Sequence, residues 1–301
     1  MYDIIIIGAG PAGLTAAVYA RRAGKSVLII ERSTFGGQVT YSPKIENFPA
    51  YVSISGAELA DKMVEQALAQ GADIEMETVT ALEKTDTGFV VKTDDNSYES
   101  RAVIIAAGVR HRLLGLEGET DFIGKGISFC AVCDGAFYEG GTVAVIGGGN
   151  SALQEALMLS ELCSKVYVVQ NLATLTGEES LRTQLYDKAN VEVITSTVVK
   201  ALEGKDELEK MVIQNTETGK ESTLKIDGMF VAIGLVPEND IYAEFASLEK
   251  GYIACDEACK TGTAGLYAAG DCRTKSVRQI TTAVADGASA ALAACAYLDG
   301  R

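Results

Sequence analysis

Two cysteines stand three positions apart in the stretch SFCAVCDG, Ser128 to Gly135, and Asp134 follows the second directly. A metal clamp, a structural disulfide and a reversible redox couple all use such a spacing. A short helical turn across Ala131 and Val132 brings the sulfurs of Cys130 and Cys133 into bonding range. CxxC units and helix N-termini both lower thiol pKa, which raises the fraction of thiolate able to attack a disulfide. Zinc would need two further ligands at comparable spacing. The other candidate pair, Cys255 and Cys259, lies far downstream, and His111 is the one histidine. No metal site is expected. With no histidine beside the pair, Asp134 is the expected proton donor and acceptor; a helix N-cap or turn role is its plain alternative.

The elements that must carry this chemistry repeat within the chain. Tyr2 to Ile7 is a β-rich apolar run, followed by the turn GAGPAG (Gly8, Gly10, Gly13) and a helix-like stretch, Leu14 to Ala23. In that order GxGxxG is a dinucleotide signature. Gly8 allows the tight turn, Gly10 lets backbone approach a pyrophosphate, and Gly13 lets helix pack on strand. A second strand, Ser26 to Ile30, leads to Glu31, placed to accept from a ribose hydroxyl. The same pattern returns in Thr142 to Ile146, GGGNSA (Gly147, Gly149, Ala152), Leu153 to Leu162 and Val166 to Val169. Two nucleotide-binding units follow, in an α/β chain of mainly parallel sheets.

Bulk properties narrow the function. The 301 residues are 48% apolar, enough for about two domains with real cores. A net charge of −15 repels phosphate backbones, so nucleic acid is an unsuitable partner. No basic and then apolar leader opens the chain, and the most apolar run, Ala283 to Leu298, holds Asp286 and small residues and reads as a buried helix. A cytoplasmic address and no membrane segment are expected. Cys163, Cys255, Cys259, Cys272 and Cys295 are expected to pack as small apolar side chains, with a secondary redox role for Cys255 and Cys259 left open. His111, between Arg110 and Arg112, is expected to be a solvated hinge residue.

These motifs together resemble the low-molecular-weight thioredoxin reductases. GAGPAG, GGQV (Gly36 to Val39), ENFP (Glu46 to Pro49), CAVCDG, AAGD (Ala268 to Asp271) and RQITTAVADG (Arg278 to Gly287) occur in that family's order. The resemblance implies two doubly wound domains: a discontinuous FAD domain, 1–112 and 241–301, and an inserted NAD(P)H-like domain, 113–240, carrying the cysteine pair. It implies FAD contacts from Gly8, Gly10, Pro11, Ala12, Gly13, Glu31, Gly37, Gln38, Asn47, Gly108, Asp271, Arg278, Gln279 and Ala283. It also implies a homodimer that alternates between two interdomain orientations, with thioredoxin as substrate. Cys133 would face the flavin and Cys130 would attack the thioredoxin disulfide.

The pattern breaks in one place. NADPH-dependent members carry a His-Arg-Arg cluster after the second strand of the inserted domain and another arginine beyond. Here that region reads VVQNLATLTGEES, Val168 to Ser180, with no basic residue between Lys165 and Arg182. Losing two charge-assisted contacts at about 1.5 to 3 kcal/mol each costs about 3 to 6 kcal/mol, or roughly two to four decades of affinity. Gln170 stands where an acidic ribose ligand would serve NADH, Asn150 replaces the aspartate of GGGDSA, and Leu235 replaces the histidine of IGH, while Glu155 is kept.

This combination resembles the ferredoxin-dependent flavin thioredoxin reductases, in which reduced ferredoxin feeds FAD. Two electrons falling from about −400 mV to about −270 mV release roughly 6 kcal/mol. Ferredoxins are themselves acidic, so attraction would need grouped cations; Arg110 with Arg112, Arg21 with Arg22 and Lys25, and Arg273 with Lys275 and Arg278 are the groups available. Alternatives are an NADPH enzyme drawing its arginine from elsewhere, such as Arg182, a dithiol oxidase using O₂, a diflavin relative with a second flavin in the altered pocket, and a non-catalytic flavin sensor.

Overall fold

The computed structural model describes residues 1–42 and 44–301. The chain divides into two compact units, one of Met1–Arg110 with Val236–Arg301 and one of His111–Leu235. The crossings precede the expected boundaries at 112/113 and 240/241, and the side chains give the reason. Arg112 N–H donates to Gly234 O and His111 stacks on Phe129, within the second unit. Glu238 pairs with Arg32 and Arg110, and Asn239 donates to Gly251 O and Cys272 O, within the first.

The first run of the chain forms β1 (Tyr2–Ile7), α1 (Pro11–Arg22), β2 (Val27–Glu31), α2 (Gly56–Ala69), β3 (Asp73–Met76), β4 (Val79–Lys84), β5 (Phe89–Thr93) and β6 (Ser97–Ile105). After the crossing strand β7 (Arg110–His111), the second unit forms β8 (Ile127–Ser128), α3 (Ala131–Asp134), β9 (Thr142–Ile146), α4 (Asn150–Leu162), β10 (Lys165–Val169), α5 (Glu179–Tyr186) and β11 (Val191–Ile194). It continues through β12 (Thr197–Gly204), β13 (Leu208–Asn215), β14 (Glu221–Lys225) and β15 (Gly228–Val231) to β16 (Leu235–Val236). The chain then adds β17 (Leu248–Glu249), β18 (Tyr252–Ile253), β19 (Leu266–Ala268) and α6 (Ile280–Leu298).

The main sheet of the first unit runs β3-β2-β1-β6-β5-β4, with β19 also paired to β6. Its β3, β2, β1, β6 and β19 pairings are parallel and its β4-β5-β6 pairings antiparallel, so the sheet is mixed rather than mainly parallel. The second unit holds a five-stranded parallel sheet, β11-β10-β9-β15-β8, and an antiparallel meander, β12-β13-β14. The α/β class with two doubly wound units is what the molecule has.

Central strands read as apolar runs because both faces are covered. Ile4 to Ile7 are buried, Ile4 and Ile6 toward the helices and Ile5 and Ile7 toward the opposite core. Each such side chain contributes about 1.5 to 3 kcal/mol on burial. Helix α6 begins at Ile280, three residues before the apolar run, because Gln279 and Thr282 form a reciprocal capping box. It is long and apolar enough to cross a membrane by length and composition. In this fold it buries Ala283, Gly287, Ala290, Ala291, Ala294 and Cys295. It packs so tightly on α1 that a Cβ at Gly287 would lie 2.1 Å from Ala12 O.

Candidate active site

Strand β8 ends at Ser128, three residues before the single turn of α3. Cys130 caps that turn: its carbonyl accepts from Cys133 N–H at 3.1 Å and Asp134 N–H at 3.0 Å, and its Sγ accepts from Cys133 N–H at 3.2 Å. The turn brings the two Cα atoms to 5.3 Å, and Cys130 and Cys133 form a disulfide. Ala131 is buried against Ala152, Ala156 and Leu159 of α4, whereas Val132 is exposed. The pair is thus anchored on one side and half open on the other, as an exchanging disulfide needs.

Asp134 is folded back beneath the turn. Ser128 Oγ–H donates to its Oδ2 at 2.6 Å, and the same hydroxyl oxygen accepts from Cys130 N–H at 3.1 Å. Oδ1 is buried with no hydrogen-bond partner among the described residues. Burial pushes the Asp134 carboxyl above the usual carboxylate range, and the Ser128 bond opposes it. A carboxyl raised in this way holds and returns a proton more readily than an ordinary carboxylate. Ser128 escaped the sequence reading, since nothing in its type marks it as the partner of a residue six positions on.

His111 is not a solvated hinge residue. Its ring stacks on Phe129, adjacent to Cys130, with centroids 4.5 Å apart and planes at 21°. Burial lowers the imidazole pKa to about 4, so it stays neutral at working pH. It acts as packing beside the disulfide.

The first glycine turn has the form expected for a phosphate cradle. Gly8 has φ +106° and a Cβ there would lie 2.4 Å from Ala106 O; at Gly13 it would lie 1.9 Å from Gly8 O. At Gly10 nothing stands within 4 Å, so that backbone faces open space, as does Gly108 at φ +66°. Pro11 opens α1, and Ala12 is buried beneath the turn. Gly37, at φ +60°, approaches Gly10 Cα. Glu31 accepts from Ala9 N–H at 2.8 Å and Ser33 N–H at 3.0 Å. Gln38 Nε2–H donates to Val109 O, and Asn47 Nδ2–H donates to Gln279 Oε1 at 3.4 Å.

Asp271 Oδ1 is buried without a partner among the described residues, and burial raises its carboxyl. Arg278 Nε–H donates to Asp271 O at 3.4 Å and its guanidinium covers Tyr252. Ala283 lines the first turn of α6. An orphaned carboxylate oxygen and two open glycine faces fit a dinucleotide cofactor with hydroxyls and phosphates to place.

The second glycine turn repeats the geometry: Gly147 has φ +131°, and a Cβ there would lie 2.5 Å from Ala232 O. The loop after β10 bonds back, Thr176 N–H and Gly177 N–H both reaching Gly148 O at 2.8 Å, much as Gly36 N–H reaches Ala9 O in the first unit. Two features differ. Gln170, buried, lies so close over Gly148 that a Cβ there would stand 2.5 Å from its Nε2. Asn150 and Glu178 bond both ways, Nδ2–H to Oε1 at 2.9 Å and Glu178 N–H to Oδ1 at 2.8 Å, which places a carboxylate at the start of α4. Glu155 of α4 is half-buried, with Oε2 buried and unpartnered among the described residues, and desolvation lifts its pKa to about 7.

The other cysteines divide. Cys163, Cys259, Cys272 and Cys295 are buried, as expected. Cys255 is half-buried and its Sγ accepts from Arg273 Nε–H at 2.9 Å, which is more than apolar packing. Half of the grouped cations are ion-paired: Arg110 with Glu238, Lys25 with Asp299, and Arg273 and Lys275 with Asp286.

The profile of the pyridine nucleotide-disulphide oxidoreductases matches residues 2–287. A 34.2 kDa protein in a rubredoxin operon of Clostridium pasteurianum is 40% identical over 301 residues, 99% of this chain and 98% of that one. The thioredoxin reductase of Bacillus subtilis is 40% identical, covering 99% of this chain and 95% of its own. The crystal structure of thioredoxin reductase from Streptococcus pyogenes superposes with a TM-score of 0.95 at 39% identity, covering 100% and 99% of the two chains.

Proposed function

The chain belongs to the low-molecular-weight thioredoxin reductase family, and from that premise we propose that reduced ferredoxin, rather than NADPH, supplies its electrons. It is an FAD-binding flavoprotein disulfide reductase that acts on thioredoxin. The residues proposed to hold FAD are Gly8, Gly10, Pro11, Ala12, Gly13, Glu31, Gly37, Gln38, Asn47, Gly108, Asp271, Arg278, Gln279 and Ala283. Bound there, the flavin supplies the conversion between single electrons and the pair a disulfide needs.

The chain's own residues do the rest. Opening the Cys130–Cys133 disulfide consumes two electrons and two protons and leaves two thiols. Cys130 is then proposed to attack the thioredoxin disulfide. Cys133 displaces the resulting mixed disulfide, which restores the pair and releases a dithiol thioredoxin. Asp134 gives one proton in the first stage and takes one in the second, and solvent supplies the other proton each stage needs.

The donor assignment rests on the pocket of the second unit. Gln170 covers Gly148 where a ribose ligand would stand, and no Lys or Arg occurs between Lys165 and Arg182. The rubredoxin operon of the Clostridium pasteurianum relative agrees with a protein electron carrier. One observation favours the NADPH reading instead: Arg182 Nε is buried without a partner among the described residues. The reading carries with it a homodimer and a cytoplasmic setting.

Anaerobic titration of the oxidised protein with NADPH and NADH, read at the flavin band near about 450 nm, decides the donor. Stoichiometric nucleotide is expected to leave the flavin oxidised while dithionite bleaches it. Prompt bleaching by NADPH refutes the ferredoxin assignment.

A further inference from the structure

Ser128 holds two parts of the dithiol site with one hydroxyl. The Cys130 N–H can only donate, so at 3.1 Å it takes up acceptor capacity on Ser128 Oγ. The single Ser128 proton is then directed to Asp134 Oδ2 at 2.6 Å. That oxygen stays an acceptor in both charge states of the carboxyl. Moving the acid proton onto Oδ2 would leave the serine proton without an acceptor in a site where both residues are buried.

We propose that Ser128 is a positioning residue for the dithiol chemistry, locking Oδ2 of Asp134 to the Cys130 backbone so that Oδ1 is the atom that carries the exchanged proton. Oδ1 is the oxygen left buried and unpartnered. When the disulfide opens, two electrons and two protons convert it to two thiols, one proton leaving Oδ1 and the other coming from solvent. When thioredoxin is reduced, Oδ1 recovers its proton from a thiol as the Cys130–Cys133 bond re-forms, and solvent supplies the second proton of the thioredoxin dithiol. The inference rests on Asp134 being the acid and base of the site.

Other ionisable groups near the turn must be separated from Asp134. Tyr138 follows it in the chain and feels its charge as well as that of Glu207, and burial holds that phenol near about 12, outside the useful range. Glu155 lies on α4, the helix packed against α3, and titrates at about 7. His111, across Phe129, titrates at about 4.

The test is the pH dependence of thiol release when dithionite-reduced holoenzyme meets oxidised thioredoxin, measured in a Glu155→Gln background. Below the Asp134 pKa the rate falls tenfold per pH unit. Ser128→Ala removes a bond that favours the carboxylate, so that acid limb is expected to move up by about 0.5 to 2 pH units. Ser128→Thr, which keeps the hydroxyl, is expected to return it. Flavin content reports that each variant has folded. An unmoved limb in folded Ser128→Ala, or a limb moved equally by Ser128→Thr, overturns the role of Ser128. Asp134→Asn separates the two readings: an undiminished rate there overturns the acid–base role of Asp134 itself.

Discussion

Asp134 and Glu155 show how differently a carboxyl side chain is read from sequence. Asp134 drew notice because it adjoins a cysteine pair with no histidine beside it, and its acid–base role is a proposal. Its partner Ser128 did not, because only the return of the chain through one turn brings them together. Glu155 was visible as a kept residue, but its burial without a partner was not. Its folded pKa of about 7 lies above the ordinary glutamate value of 4.5, so the native state binds the extra proton between those two pH values. Stability is therefore lost as pH rises through that window and the deficit is complete above it. Glu155→Gln is expected to stabilise the protein by about 1 to 3 kcal/mol at pH 8 and to do little near pH 4. Denaturant unfolding at the two pH values measures both.

At the scale of elements, strand–turn–helix order was readable wherever a glycine turn fixed it. Both parallel cores followed from that order together with unbroken Val and Ile runs. The antiparallel additions carried no comparable mark, because β4, β5 and the β12–β14 meander are largely half-buried or exposed and hold no motif. Gly287 is a further case in which the role lies in a distant contact: a side chain there meets the Ala12 carbonyl, which is backbone and cannot turn aside. Gly287→Val is expected to cost at least about 1 to 3 kcal/mol and to lower retained flavin, because α1 leads out of the phosphate turn. Flavin-to-protein ratio and thermal midpoint, measured side by side, check it.

For the whole molecule, a net charge of −15 sets how a macromolecular donor would meet it. Ion pairs on Arg110, Lys25, Arg273 and Lys275 engage half of the grouped cations that could have offset this. Two acidic proteins repel at long range, and salt screens that repulsion. Ferredoxin-driven turnover is therefore expected to rise several-fold between about 10 and 200 mM salt; stopped-flow flavin reduction against ionic strength measures it, and a steep fall would mean a cationic docking patch. The two-unit division was legible because the glycine signature occurs twice. The crossings were not, since ion pairs of Glu238, hydrogen bonds of Arg112 and Asn239, and the stack of His111 on Phe129 place them. The interleaved chain order also has a consequence for synthesis. Strand β19 pairs with β6 and helix α6 packs on α1, yet about 190 residues separate Ile105 from Leu298. At about 5 to 20 residues per second, the ribosome takes about 10 to 40 s to cover that gap. During this interval the redox-bearing unit emerges complete while the sheet begun before it waits with one edge and one helix face bare. A chaperone that shields apolar surface would meet this nascent chain there, and flavin insertion becomes a late event in its maturation.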